Sequence, residues 1–133
     1  MSFPDPQPVS FVLKVVGETT GYEYIGTFKV KPILTQHDQL QRDTLMRDLL
    51  GSKAADASPR AVSQALLLAE IQVRATETPE FWKESRNGLA LYDEAVMAQV
   101  YDKIQEIEKD FRAEIKKKAD AAREDLKAMP SQA

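Results

Sequence analysis

The last third of the chain most constrains what it can fold into. Met97, Val100, Ile104, Ile107 and Phe111 recur at alternating steps of three and four, the spacing of one face of a continuous helix. Asp93 stands before this stretch as a candidate N-cap, and the helical pattern runs to about Lys127. At 1.5 Å per residue such a helix of ~35 residues extends about 50 Å, longer than a compact domain of this size is wide. Beyond Phe111 the apolar positions shift to Ile115, Ala119, Ala122 and Leu126, a stutter in the heptad pattern, and charge becomes denser. The first half is therefore expected to pack on a body and the second half to project. A projecting amphipathic helix usually meets a copy of itself or a partner's helix.

The body must come from the preceding residues. FVLKVV (11–16) and YEYIGTFKV (22–30) are rich in β-branched and aromatic residues, with the turn-forming GETTG between them. They read as a β-hairpin with Tyr22, Tyr24, Phe28 and Val30 on one face. Two strands alone are marginal in water, so that face needs a helix or another subunit's sheet. Gly26 in mid-strand points to a bulge or a close backbone approach. Upstream, Pro4, Pro6 and Pro8 alternate, which disfavours helix and sheet and marks residues 1–10 as an extended arm.

Pro32 ends the second strand. Thr35 and Asp38 form a capping-box pattern for a helix over 36–50, with Gly51 as its C-terminal cap. Asp38 with Arg42, and Asp43 with Arg47, are spaced as i,i+4 ion pairs. GSKAADA reads as a linker. Ser58 followed by Pro59 opens the next helix, whose stripe is Val62, Leu66, Ala69 and Val73, widened by Ala65 and Leu68, and which ends near Ala75. Thr78 and Pro79 repeat the cap-and-proline device before PEFWKES, expected as one helical turn broken at Asn87-Gly88. The fold class is α+β: an N-terminal β-hairpin packed on a mainly helical body with a long protruding C-terminal helix. The expected organisation is an arm over 1–10, a globular unit over 11–111, and a projecting helix and tail over 112–133.

The chemistry that the residues exclude is broad. The chain has 133 residues, a net charge of −3 and no cysteine. Net negative charge argues against a nucleic-acid binder; Lys116, Lys117 and Lys118 are flanked by Glu114 and Asp120 and read as a solvated helix face. Disulfides, thiolate metal sites and thiol nucleophiles are excluded. MSFPDPQPVS lacks the basic and apolar regions of a secretory signal, and no apolar run approaches the ~20 residues of a membrane span. His37, the only histidine, lies in the first turn of a helix with no evident nucleophile or orienting partner. Glu106, Asp110 and Glu114 form an acidic row facing Lys103 and Lys109, not a metal site. The glycines make no phosphate loop, and GxSxG is absent. The expectation is no enzyme, no metal and no cofactor.

What remains is contact with other proteins. Phe81 and Trp82, with Leu89, Leu91 and Tyr92 close behind, concentrate large apolar area that either closes the junction between helices or docks a partner. Candidate partner-binding residues are Phe81, Trp82, Leu89, Leu91 and Tyr92, with Phe111 and Ile115 on the projecting helix. A hairpin ending in FKVKPIL, the TQHDQLQRDTLMRDLL helix, an alanine- and leucine-rich helix, PEFW and a helix opening at LYDEAVMAQVYDKI together resemble the tail-assembly chaperones of long-tailed bacteriophages. The resemblance covers roughly residues 21–111 and rests on element order. It implies a β-element before a helical body and a cytoplasmic location in the infected bacterial host. It further implies oligomerisation, binding to the helical tape-measure protein and recruitment of tail-tube subunits, with no place in the finished particle. The arm and the charged extension after Phe111 depart from that pattern. They raise a second expectation, a virion structural or accessory protein tied to neighbouring subunits through its arm and its C-terminal helix.

Overall fold

The computed structural model describes residues 6–130. It contains β1 (Val9–Val16), β2 (Glu23–Val30), α1 (Gln36–Leu50), α2 (Pro59–Arg74), β3 (Ala75–Glu77), α3 (Glu80–Glu84) and α4 (Glu94–Ala128). The protein is α+β, with a three-stranded antiparallel sheet in the order β1-β2-β3.

β1 and β2 pair from Val9↔Val30 to Val16↔Glu23. Their turn closes with the Gly17 N–H donating to the Tyr22 carbonyl and the Gly21 N–H donating to the Gly17 carbonyl, both at 2.8 Å. Strand alternation sends Leu13, Tyr24, Phe28 and Val30 into the core and leaves Val12, Val16 and Ile25 outside. Tyr22, expected on the apolar face, precedes β2 and is exposed; its ring meets Tyr24 edge-on. Two of the ten residues read as an arm, Val9 and Ser10, belong to β1, while residues 1–5 of that arm and 131–133 of the tail lie outside the described residues. The third strand was not expected. It pairs with β2 at Val30↔Ala75 and Lys29↔Glu77 across a bulge, and three residues are too few to show a period.

α1 begins with the expected capping box: the Asp38 N–H donates to Thr35 Oγ1 and the Thr35 N–H to the Asp38 carboxylate, both at 3.1 Å. It stops at Gly51, whose φ of 74° lies in the left-handed region. The expected pairs within α1 are replaced. Asp38 binds Lys31, and Arg42 binds Glu70 and Asp43. GSKAAD is a 3₁₀ helix. Ser58 caps α2 by accepting from the Ala61 N–H, with Pro59 at its start. The buried face of α2 is Ala65, Ala69, Glu70, Ile71 and Arg74, whereas Val62 is exposed. α2 touches α1 on one side and α4 on another, so its buried surface is wider than a single stripe and includes two charges. Pro79, not Thr78, occupies the N-cap of α3, without a side-chain cap bond.

Leu13, Tyr24, Phe28, Val30, Ile71, Trp82, Val96, Met97, Val100 and Ile104 form the core between sheet and helices. α4 supplies the last four from its first half. From Arg112 onward it is exposed, apart from a half-buried Ala119, so the second half of the helix projects.

Candidate interaction surfaces

The seven residues singled out from the sequence do not make one patch. Trp82 is 1% exposed. Its ring stands edge-on to Phe28 at 5.6 Å, and Gly88 sits so close that an added Cβ would lie 2.6 Å from Trp82 Cη2. Trp82 is therefore a core plug and not a docking residue; its ring fills the space between the sheet and the loop after α3. Arg86, Asn87 and Gly88 all have positive φ, which folds that loop tightly over the indole. Phe81 is half-buried, edge-on to Tyr24 at 5.3 Å and to Phe28 at 6.1 Å. Its neighbour Pro79 packs on Gly26, where a Cβ would fall 2.2 Å from Pro79 Cβ, so the mid-strand glycine marks the close approach of another segment. Leu91 is also drawn onto the core.

The remaining four point elsewhere. Leu89 and Tyr92, 53% and 80% exposed, lie in the loop before α4. Leu89 forms part of the rim of a groove of about 420 Å³ that includes Leu49, Leu50, Ala61, Ala65 and Leu68. A larger open groove of about 680 Å³ runs between α1 and α2 past Leu40, Leu45 and Val73. Phe111 is half-buried where α4 leaves the body, and Ile115 is exposed one turn beyond it.

Two polar clusters escape a reading of sequence spacing. The first is Asp93, a buried carboxylate. It occupies the N-cap position of α4 but makes no cap bond with its side chain. It reaches instead to the β1–β2 turn, accepting from the Thr19 N–H (2.7 Å), the Thr20 N–H (3.2 Å), Thr20 Oγ1 (2.5 Å) and the Tyr24 hydroxyl (2.7 Å). The Thr20 and Tyr24 hydroxyls, with the turn amides, hold its pKa down to about 2 against the opposing effect of burial. Burial, with Asp93 beside it, pushes the Tyr24 hydroxyl up. Gly17 makes room for this clasp, since a Cβ there would lie 2.3 Å from Asp93 Oδ2. The only trace of it in the sequence is the glycine opening GETTG.

The second cluster centres on Arg74, whose side chain is 3% exposed beside a 5% exposed Glu70. Arg74 binds Glu70 at 3.0 Å and Glu108 at 2.5 Å, and it donates to the carbonyls of Lys31 and Pro32 at 3.4 and 3.3 Å. Glu70 also accepts from Arg42 at 3.1 Å, and Glu108 lies 3.5 Å from Arg112. The cluster joins α1, α2, α4 and the β2–α1 loop. Burial pushes the Glu108 carboxyl up, but Arg74 and Arg112 outweigh it and lower the pKa. Every charge in it has a partner, and Tyr101 shares the cavity beside it; the pairs tie three helices and a loop together as a structural clasp.

His37 is exposed, and the neighbouring Asp38 carboxylate is committed to Thr35 and Lys31. Among the described residues no group of three or more His, Cys, Asp or Glu could hold a metal ion, and no helix is long and apolar enough to cross a membrane. The fold thus defines an α+β protein in which the buried charges of Asp93, Glu70 and Arg74 are paired internally. Exposed apolar side chains such as Leu40, Leu89, Tyr92, Ile115 and Leu126 lie on the helices and the loop before α4. Compared with protein-family models, curated proteins and solved structures, the chain has no match.

Proposed function

We infer that this protein is a non-enzymatic morphogenesis factor of a long-tailed bacteriophage, a tail-assembly chaperone that holds the tape-measure protein and recruits tail-tube subunits in the host cytoplasm. One observation carries the reading: the second half of α4 leaves the body with Ile115 and Leu126 exposed on one side. A helper for a long amphipathic helix needs no catalysis. It needs apolar helical surface that is open to a partner, and weak contacts multiplied by several copies. The grooves at Leu40 and Leu89 add to that surface, and the element order read from the sequence resembles that of the chaperones.

The test follows the protein by quantitative mass spectrometry through infected cells and purified particles. Abundance in the lysate with absence from particles is the expected result. A fixed copy number per particle would overturn the chaperone and make the protein a virion component that contacts neighbouring subunits. Ile115→Glu with Leu126→Glu should abolish co-purification with the tape-measure protein while leaving the body folded.

A further inference from the structure

β1 is a free edge of the sheet. The hydrogen bond from the Gly17 N–H to the Tyr22 carbonyl and the register of the pair set the phase of the ladder. Phe11, Leu13 and Val15 turn their backbone groups to β2, and Ser10, Val12, Lys14 and Val16 turn theirs to the open edge. Among the described residues no further strand pairs there. Natural proteins blunt such edges with proline, bulges, several charges or a covering loop. β1 has eight residues, no proline, a regular register and a single charge, Lys14. On the other side of the sheet β3 has three residues, pairs across a bulge and covers only the Lys29–Val30 end of β2.

We propose that the open edge of β1 pairs antiparallel with β1 of a second copy of this chain, about a two-fold axis at Leu13, to give a continuous six-stranded sheet. The sequence of the edge selects the occupant and the register. With the axis at Leu13, Ser10 opposes the partner's Val16 and Val12 opposes the partner's Lys14. All the outward backbone groups are then used, each pair exchanging two hydrogen bonds. Moving the axis to Lys14 would set two like charges face to face. Moving it to Val12 would bring Pro8, which has no N–H, opposite Val16. The Leu13-centred register also places Phe11 beside the partner's Val15 on the core-facing side. Both are half-buried in one copy, and pairing covers them. The two-fold uses the same edge in both copies, so this contact closes at two copies and does not propagate. This surface is separate from the projecting second half of α4, and its test is independent of the function proposed above.

Sedimentation and light scattering of the full chain test it. A dimer is expected, and Val12→Pro should convert it to a folded monomer, because the N–H removed points at the open edge and takes no part in pairing with β2. A charge pair checks the register without that backbone change. Val12 is 55% exposed, so neither charge should disturb the monomer. Val12→Lys sets like charges against the partner's Lys14 on both sides of the axis, and Val12→Glu sets opposite ones. The dissociation constant should rise for the first and fall for the second, each by about 2- to 30-fold. A wild-type monomer persisting to ~1 mM would overturn the proposal, because any pairing is then weaker than about 4 kcal/mol. So would a dimer whose affinity is indifferent to Val12→Lys and Val12→Glu, or changes in the same direction for both.

Discussion

Removing the side chain of Arg74 tests whether a charge truly sits inside this small body. Arg74→Ala deletes ion pairs to Glu70 and Glu108 and the donors to the Lys31 and Pro32 carbonyls. Breaking a buried pair by removing one partner costs ~3–5 kcal/mol, chiefly because the other charge stays buried and unpaired. Here Glu70 keeps Arg42 at 3.1 Å and Glu108 keeps Arg112 at 3.5 Å, which moves the ionic part of the loss to the low end, ~3 kcal/mol. Two carbonyls left without their donor add ~1 kcal/mol or more between them. The sum is ~3–5 kcal/mol, a large share of the ~5–15 kcal/mol that holds an ordinary domain. For a chain of this length it corresponds to a Tm lowered by about 10–20 °C.

The assay is urea unfolding followed by far-UV circular dichroism, with a second variant as the control. Arg74→Met, Glu70→Leu and Glu108→Leu combined remove the three innermost charges, and with them most of the desolvation that the ion pairs must offset, while Arg42 keeps Asp43 and Arg112 is exposed to water. That variant should recover to within ~1–2 kcal/mol of the natural chain, because buried ion pairs replaced whole by apolar groups are often neutral. A loss below ~1 kcal/mol in Arg74→Ala would refute the burial of the charge, since that is the range of an exposed pair. A triple variant as unstable as the single one would instead show that the clasp is worth more than its desolvation.

Three further outcomes follow from the same contacts. Asp93 has its pKa lowered to about 2 in the folded protein, against an ordinary value near ~3.9; between those values the unfolded chain binds more protons, so stability falls as pH falls. The contribution is complete above pH ~4 and lost below about 2, and Asp93→Asn should flatten the acid limb of Tm against pH in that window. Gly26→Ala would drive a methyl to within 2.2 Å of Pro79 Cβ and should cost ~1–3 kcal/mol by overpacking, read as a drop in urea midpoint at constant slope. Phe81→Ala with Trp82→Ala should unfold the domain at ordinary temperature, since emptying the indole site alone costs ~3–5 kcal/mol; a folded double variant that merely lost a partner would return the tryptophan to the surface.

What the sequence makes legible here is what is decided within a few residues. The Thr35–Asp38 box, the Ser58–Pro59 start and the Gly51 stop are each closed by neighbours, and all stand where spacing places them. α4 is legible for the opposite reason: its period is long enough to identify a helix whether or not anything covers it. The illegible parts are decided by pairing across distance. Arg74 and Glu70 look like one turn of a solvated helix, yet the interior is where they meet Arg42 and Glu108 from two other helices. Asp93 looks like a cap, but the Thr19 and Thr20 amides it binds lie 74 and 73 residues away in sequence. Trp82 could have faced either way until Gly88 and Phe28 closed around it. These polar clasps and the aromatic plug fasten the hairpin to the helices at three separate places. These fastenings make no use of α4 beyond Arg112, so substitutions on the exposed side of that half of the helix should leave the body's stability unchanged.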